Sequence, residues 1–161
     1  QSRSSAASDV YKRQDIVIPT MEECAKFSEE VLAPINAIGD QQGATIKDGV
    51  VTMPEEFVDA YQKFAEAGWA SISLPSDIGG GGMPITLSGG TLEILSTANL
   101  AFGLAPGLSA GAISAINFHG SQEQKDKFLP KLVSGEWTGT MNLSEPQSGS
   151  DLGTILSLIH I

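Results

Sequence analysis

Helical spacing of apolar residues dominates the chain from about residue 20 to residue 130. Thr20 and Glu23 form a capping-box pattern, in which each side chain binds a free backbone amide, so the pair predicts the start of a helix. Pro34 predicts a kink or an end, and Gly39 predicts the stop. Between these signals the apolar positions with helical spacing are Cys24, Phe27, Val31, Ile35 and Ile38.

Three more helices are predicted in the middle of the chain. One begins near Pro54, carries two glutamates in its first turn and ends at Gly68. Its apolar stripe consists of Phe57, Ala60, Tyr61 and Phe64. Two further helices are predicted at residues 84–102 and 106–118, separated by the Pro-Gly pair that opens the second of them, and Gly120 ends the latter.

A last helix and a strand complete the pattern. Ser121 and Gln124 form a second capping box, which opens an amphipathic helix. After Gly135 the apolar residues alternate instead, as is typical of a β-strand. The alternating positions are Trp137, Gly139, Met141 and Leu143. The pattern therefore predicts an all-α fold with one strand near its C-terminal end.

Two glycine-containing stretches separate the predicted helices. Residues 40–52, which include Asp48 and Gly49, predict a turn with a short extended piece. The run LPSDIGGGGMP holds four consecutive glycines, 79–82, whose backbone amides could cradle an anion. It lacks the Lys-Ser/Thr ending of a phosphate-binding loop, and no strand clearly precedes it. The sequence therefore favours a flexible connection here.

Composition excludes several classes of function. The 161 residues carry a net charge of −10, which argues against a nucleic-acid partner because phosphate binding needs clustered Lys and Arg. Cys24 is the single cysteine, and His119 and His160 are isolated, so we expect no disulfide and no metal site. Without a signal peptide pattern, a cytoplasmic location is expected. The uncharged stretch 94–122 could span a bilayer, but its polar residues and Pro-Gly break favour two buried helices.

The segment MNLSEPQSGSDLG, residues 141–153, concentrates groups that suit a polar ligand. Ser144, Ser148 and Ser150 offer hydroxyl donors, and Gly149 lets backbone amides approach closely. Its two carboxylates argue against a bare phosphate site. An ordinary turn capped by serine and aspartate side chains explains the same residues. The residues alone leave both interpretations open.

The same segment closely resembles the signature of the acyl-CoA dehydrogenase family, a hydrophobic or aromatic residue followed by T-E-P-x-A-G-S-D. Two more runs are similar to other family blocks in the family's order, FAEAGWASISLPSDIGGGGMP and HGSQEQKDKFLPKLVSGEWTGTMNLSEP. The spellings GDQQGATIKDGVV and MPEEFVDAYQKFAEAGW look most like the longer bacterial members, including those that act on 3-(methylthio)propanoyl-CoA. The resemblance covers about residues 16–155.

This resemblance implies a fold, an activity and partners. Family members have an N-terminal helical domain, a middle β-barrel and a C-terminal four-helix bundle. They oxidise acyl-CoA to 2,3-enoyl-CoA with FAD, a step of fatty-acid β-oxidation. A glutamate takes the α-proton, the β-hydrogen leaves as hydride to flavin N5, and electrons pass to an electron-transfer flavoprotein. Residues 15–134 are then expected to form the helical domain and residues 135–155 the start of the barrel, and the full-length parent is expected to be a homo-oligomer.

Position by position, the resemblance implies cofactor contacts at five residues. Met141, Leu143 and Ser144 match residues that contact the isoalloxazine ring, with Ser144 in place of the commoner threonine. Gly149 and Ser150 match the turn near the ribityl-pyrophosphate, and Ser150 also matches a contact to the CoA part of the substrate. No residue of this chain matches the family's catalytic glutamate, which lies far downstream.

Both ends of the chain fall outside the resemblance. We interpret residues 1–14 and 156–161, QSRSSAASDVYKRQ and LSLIHI, as artefacts of a fragmentary gene sequence. The chain is then expected to be a dehydrogenase fragment without turnover of its own. One alternative is an acyl-CoA oxidase of the same fold, which the E-P-x-x-G-S-D spelling disfavours. The other is a stand-alone helical binding domain, which the unpaired strand at Trp137 disfavours.

Overall fold

The computed structural model describes residues 14–155 and is mainly helical, which confirms the predicted all-α class. Its α-helices are α1 (Gln14–Phe27), α2 (Asn36–Gln42), α3 (Glu55–Glu66), α4 (Ile85–Ala98), α5 (Leu100–His119) and α6 (Gln122–Val133). The other elements are a π-helical turn (Ser28–Leu32), strands β1 (Thr45–Lys47) and β2 (Val50–Thr52), and 3₁₀ turns at Trp69–Ser71, Ser76–Ile78 and Leu152–Thr154. The tails interpreted as artefacts lie outside the described residues, apart from Gln14.

The first helix begins before the predicted capping box. α1 starts at Gln14 and contains Pro19, so Thr20 lies inside the helix. There the Thr20 hydroxyl donates to the Ile16 carbonyl at 2.8 Å. The predicted start at Thr20 is wrong because a threonine hydroxyl can bond to the preceding turn as well as to a free amide at a helix end.

Between α1 and the hairpin that follows, the helix is interrupted once, and α2 then ends. The predicted interruption at Pro34 is confirmed, because the π-helical turn ends at Leu32 and α2 begins only at Asn36. The predicted stop at Gly39 is wrong. Gly39 lies inside α2, where a Cβ atom would come within 2.5 Å of the Phe57 ring. Gly43, with a φ of 63°, ends the helix instead.

A two-stranded antiparallel hairpin connects α2 to α3. Ile46 lies opposite Val51 in its register. Asp48 and Gly49 form the connection with φ values of 52° and 79°, as a two-residue type I′ turn requires. The predicted turn with a short extended piece is therefore confirmed and is now defined as a hairpin.

The main hydrophobic core lies between α1, α3, α4 and α5. Phe64 from the predicted α3 stripe is 2% exposed, and its ring meets Phe102 of α5 edge-on at 5.5 Å between centroids. α4 packs on α1 and α5, and α5 packs on α6. A second cluster joins α5 to α6 through the buried residues Ile113, Leu129, Leu132 and Val133.

The break between α4 and α5 lies at Asn99, so the break predicted at residues 106–107 is wrong. Asn99 is 1% exposed, and its Oδ1 atom accepts from the Phe102 amide at 3.0 Å. Its Nδ2 atom donates to the Leu32 carbonyl at 3.2 Å. The side chain thereby caps α5 from a buried position. Pro106, where the break was predicted, lies inside α5. It removes one backbone donor there without ending the helix.

The start of α6 confirms the predicted capping box. The Ser121 hydroxyl accepts from the Gln124 amide at 3.3 Å, and the Gln124 side chain accepts from the Ser121 amide at 2.8 Å. The predicted strand after Gly135 is wrong for this chain, because residues 138–144 adopt no strand. A strand needs a partner for its backbone groups, and no strand of the described range pairs with this segment.

Within residues 14–155, α5 is the one helix that is long and apolar enough to cross a membrane, judged by length and composition. Core helices of globular proteins pass the same test. α5 packs between α4 and α6, and its inward residues Phe102, Gly103, Ser109 and Ile113 are buried. The expectation of no membrane-spanning segment stays a prediction.

Candidate functional site

The five residues with predicted cofactor contacts are exposed near the C-terminal end of the described chain. Met141 is 66% and Leu143 is 43% exposed, and Ser144, Gly149 and Ser150 are exposed as well. Two large apolar side chains are thus presented on the surface beside hydroxyl groups. Such a surface suits a ligand with a flat apolar body and polar edges.

The second half of this segment forms a turn that is closed by its own hydrogen bonds. Glu145 and Ser148 exchange two backbone bonds, with N···O distances of 2.7 and 3.0 Å. Pro146 occupies the first central position of this turn, which its fixed φ favours. The buried Ser148 hydroxyl donates to the Asp151 carbonyl at 2.8 Å. Ser148 therefore holds the turn, as the interpretation of an ordinary turn proposes for it.

The acidic residues of the segment also bond within it. The Asp151 carboxylate accepts from the Gly153 amide at 3.0 Å. The Glu145 carboxylate accepts from the Gln147 side-chain amide. Both carboxylates thus bond within the segment, and that of Asp151 does so as the interpretation of an ordinary turn proposes. Asp151 is the N-cap of the short 3₁₀ turn Leu152–Thr154, which contains Gly153.

Four hydrogen bonds to backbone groups of residues 135–139 attach this stretch to the helices and so fix where the exposed segment begins. They are Tyr61 Oη to the Gly135 carbonyl (3.2 Å), the Gly135 amide to the Leu132 carbonyl (3.2 Å), the Trp137 amide to the Lys131 carbonyl (2.9 Å) and the Gly139 amide to Ser109 Oγ (3.0 Å). Lys131 adds a 2.9 Å ion pair with Glu136 and places its ammonium group 4.6 Å from the centroid of the Trp137 ring. The exposed segment is therefore anchored on α3, α5 and α6.

Two glycines allow this close approach. Gly135 has a φ of 78°, and a Cβ atom there would lie 2.9 Å from Cβ of Ala65. At Gly139 a Cβ atom would lie 2.6 Å from Cβ of Ala112. No pattern in the sequence marks Ser109 as a functional residue, and Tyr61 stands out only as part of an apolar stripe. The contacts of both side chains with residues 135–139 are 30 or more positions away in sequence, and no local pattern signals them.

The tetraglycine loop does not present a row of free amides to an anion. Its amides donate to backbone carbonyls of the preceding loop, Gly80 to Pro75, Gly81 to Ser71 and Gly82 to Leu74, each at 2.9 Å. At Gly80 a Cβ atom would lie 2.2 Å from the Leu74 carbonyl oxygen. The predicted flexible connection is also wrong, because the loop is closely packed and hydrogen-bonded. Gly80 and Gly81 are used here for close backbone approach, and Gly79 and Gly82 for φ values of 92° and 62°.

A cavity of about 650 Å³ opens between α2, α3, α5 and the turn at Gly135. Its apolar lining includes Met53, Phe57, Val58, Ala101, Phe102 and Ala105. The Tyr61 hydroxyl is one of its few polar groups, and burial raises the pKa of that phenol. The cavity can hold an apolar group, and Tyr61 and Glu136 are the ionisable residues of its lining.

Cys24 is fully buried, which confirms its predicted role as a small core residue. Its thiol donates to the Thr91 carbonyl at 3.6 Å, and burial raises the pKa of the thiol. A thiol with a raised pKa is a poor nucleophile at neutral pH. In the part of the chain that the structure describes, no three His, Cys, Asp or Glu side chains cluster as metal ligands.

Residues 20–136 match the family described as acyl-CoA dehydrogenase, N-terminal domain. The chain belongs to the acyl-CoA dehydrogenase family. It is 44% identical over 135 residues to the 3-methylmercaptopropionyl-CoA dehydrogenase of Ruegeria pomeroyi, an alignment that covers 84% of this chain and 23% of the relative. It is 37% identical over 133 residues to a butyryl-CoA dehydrogenase of Syntrophomonas wolfei, covering 81% and 22%.

The fold of this acyl-CoA dehydrogenase chain agrees with solved structures. An acyl-CoA dehydrogenase from Bacillus anthracis, solved in complex with FAD, superposes with a TM-score of 0.72 at 24% identity, over 88% of this chain and 23% of that one. The predicted family and helical-domain fold are therefore confirmed, as is the resemblance to bacterial methylthiopropanoyl-CoA enzymes. The chain spans less than a quarter of the length of the relatives reported above.

Proposed function

We propose that this chain is the N-terminal part of an FAD-dependent acyl-CoA dehydrogenase that oxidises acyl-CoA to 2,3-enoyl-CoA. The observation that carries the proposal is the family match over residues 20–136, followed after residues 137–140 by MNLSEPQSGSDLG. The FAD-bound relative from Bacillus anthracis supports FAD as the cofactor. In this proposal, residues 15–134 form the helical domain, and residues 135–155 lead into the barrel domain of the longer enzyme.

The five exposed residues fit a flavin in their chemistry. Met141 and Leu143 offer apolar surface for the isoalloxazine ring, and Ser144 offers a hydroxyl at its edge. Gly149 and Ser150 contact the ribityl-pyrophosphate side, and Ser150 also contacts the CoA part of the substrate. Bound FAD supplies the hydride acceptor. The role of this chain's residues is to bind and orient the cofactor, while the base that takes the α-proton comes from the remainder of the enzyme.

The complete enzyme requires partners beyond this chain. Its substrate is an acyl-CoA thioester, and its electrons pass to an electron-transfer flavoprotein. It acts in fatty-acid β-oxidation in the cytoplasm, as a homo-oligomer. The strongly acidic composition, with a net charge of −10, supports protein and small-molecule partners rather than nucleic acid.

A flavin titration of the purified 161-residue chain tests the fragment interpretation. We expect no stoichiometric FAD in equilibrium dialysis and no dye reduction with acyl-CoA, because most of the cofactor site and the catalytic glutamate are supplied elsewhere. The complete acyl-CoA dehydrogenase of Bacillus anthracis is the positive control for both assays. Tight FAD binding with turnover by the 161-residue chain would overturn the fragment interpretation.

A further inference from the structure

Ser109 lies where the segment that leads to the predicted flavin contacts crosses α5. The residue is 5% exposed. Its Oγ atom accepts from the Gly139 amide at 3.0 Å and donates to the Ala105 carbonyl at 3.4 Å. One buried hydroxyl thus links the helix to a backbone amide that lies two residues before Met141.

The backbone at Gly139 lies directly on the surface of α5. A Cβ atom at this position would approach the Ser109 Cα atom to 3.1 Å and the Leu108 carbonyl oxygen to 3.2 Å. Together with the 2.6 Å approach to Cβ of Ala112, these distances leave no room for a side chain unless the neighbouring atoms shift. The Gly139 amide therefore points at Ser109 from a position that glycine alone allows.

We propose that Ser109 is a positioning residue, whose hydroxyl fixes residues 139–144 relative to α5 and so places the flavin-facing edge. This inference rests on the proposed function. Residues 138–144 have no strand partner among the described elements, so no ladder of backbone bonds orders them. An unfixed segment must be ordered when the cofactor binds, which weakens binding. The bond to Ser109 supplies part of that order in advance.

The other two anchors act upstream of this point. Tyr61 and Lys131 hold Gly135 and Trp137, respectively. Neither of these bonds fixes the chain beyond Trp137. Of the three anchors, the bond at Gly139 is therefore the nearest to Met141.

Hydrogen–deuterium exchange of the 161-residue chain tests the structural half of the proposal. In Ser109→Ala, we expect protection of the Gly139 amide to fall at least about tenfold, while the amides of the α3 core keep their protection. Ser114→Ala, an exposed serine on the same helix, is the matched control and should change neither. Unchanged protection at Gly139 in Ser109→Ala overturns the proposal. If that variant does not fold, Gly139→Ala tests the same contact, and unaltered amide shifts at residues 140–144 overturn it.

Flavin binding by the complete enzyme, expressed from the uninterrupted reading frame, tests the functional half. Ser109→Ala should weaken FAD binding about tenfold, shift the flavin absorption bands and slow flavin reduction, with KM for acyl-CoA unchanged. Ser114→Ala should behave as wild type. Wild-type FAD affinity and spectrum in Ser109→Ala overturn the positioning role. Absence of FAD from every variant, wild type included, instead contradicts the proposed function and leaves the exchange result standing.

Discussion

The side-chain amide of Asn99 donates to the Leu32 carbonyl at 3.2 Å, and this bond joins two helix breaks that are 67 positions apart in sequence. Leu32 is the last residue of the π-helical turn and is fully buried, so its carbonyl cannot reach water. The same Asn99 side chain caps α5. One buried asparagine therefore satisfies backbone groups of both breaks and fixes α5, the helix that carries Ser109.

Asn99→Ala should destabilise the chain by about 2–4 kcal/mol, because it removes the cap of α5 and leaves the Leu32 carbonyl buried without its donor. Urea unfolding followed by circular dichroism measures the change. Ser121→Ala, which removes an exposed cap on α6, is the control and should cost about 1 kcal/mol. An equal loss of unfolding free energy in the two variants would show that the burial of Asn99 adds nothing to stability.

Alanine at two glycines should change stability in opposite directions. Gly80→Ala places a Cβ atom against the Leu74 carbonyl and should cost on the order of 2 kcal/mol, because the backbone of the loop has to shift. Gly89→Ala, at an exposed and open position inside α4, should stabilise by about 0.5–1 kcal/mol. Thermal unfolding of both variants measures the pair. A gain in stability for Gly80→Ala contradicts the described packing of the tetraglycine loop.

Phe64→Ala should lower the free energy of unfolding by about 3–5 kcal/mol, because the ring is buried among the rings of Phe27, Tyr61 and Phe102. Phe118 is the matched control, since its ring is 76% exposed and Phe118→Ala should stay within about 0.5 kcal/mol. Chemical denaturation of the two variants side by side gives the difference. A loss below 1 kcal/mol for Phe64→Ala, on the order of a surface change, contradicts the position of the core.

Stability should decline at alkaline pH through Cys24. Burial raises the pKa of its thiol, so the folded chain holds this proton more tightly than the unfolded chain. The resulting stabilisation is complete below the pKa of the unfolded thiol, about 8.5, and is lost as the pH rises through the folded pKa. Cys24→Ala should flatten this decline in unfolding free energy. An identical pH slope in the variant assigns the decline to other groups.

The sequence predicted the elements whose signals are local. The stripe from Phe57 to Phe64 and the Ser121–Gln124 capping box each lie within one or two turns of helix, and both were confirmed. The same capping pattern at Thr20 failed, since a hydroxyl can also bond back along a helix that is already formed. Local spacing does not distinguish these two uses.

Features that depend on distant partners were not predictable from the pattern. The break at Asn99 is fixed by Leu32, and the path of residues 135–139 is fixed by Tyr61 and Ser109. The predicted strand from Trp137 had the right alternation but no partner strand in the described range. Of the candidate site, the sequence located the segment 141–153, while its anchors on the helices came only from the structure.

Flavin reduction by the complete enzyme is the decisive test of the proposal that this chain is part of an FAD-dependent acyl-CoA dehydrogenase. The protein is expressed from the reading frame that contains this sequence in genomic DNA, purified and mixed without oxygen with acyl-CoA, including the methylmercaptopropionyl thioester named for its Ruegeria pomeroyi relative. We predict that the protein carries FAD and that its visible flavin absorption bleaches on addition of substrate. A reading frame that stops at residue 161, or a full-length protein without flavin, would contradict this proposed function.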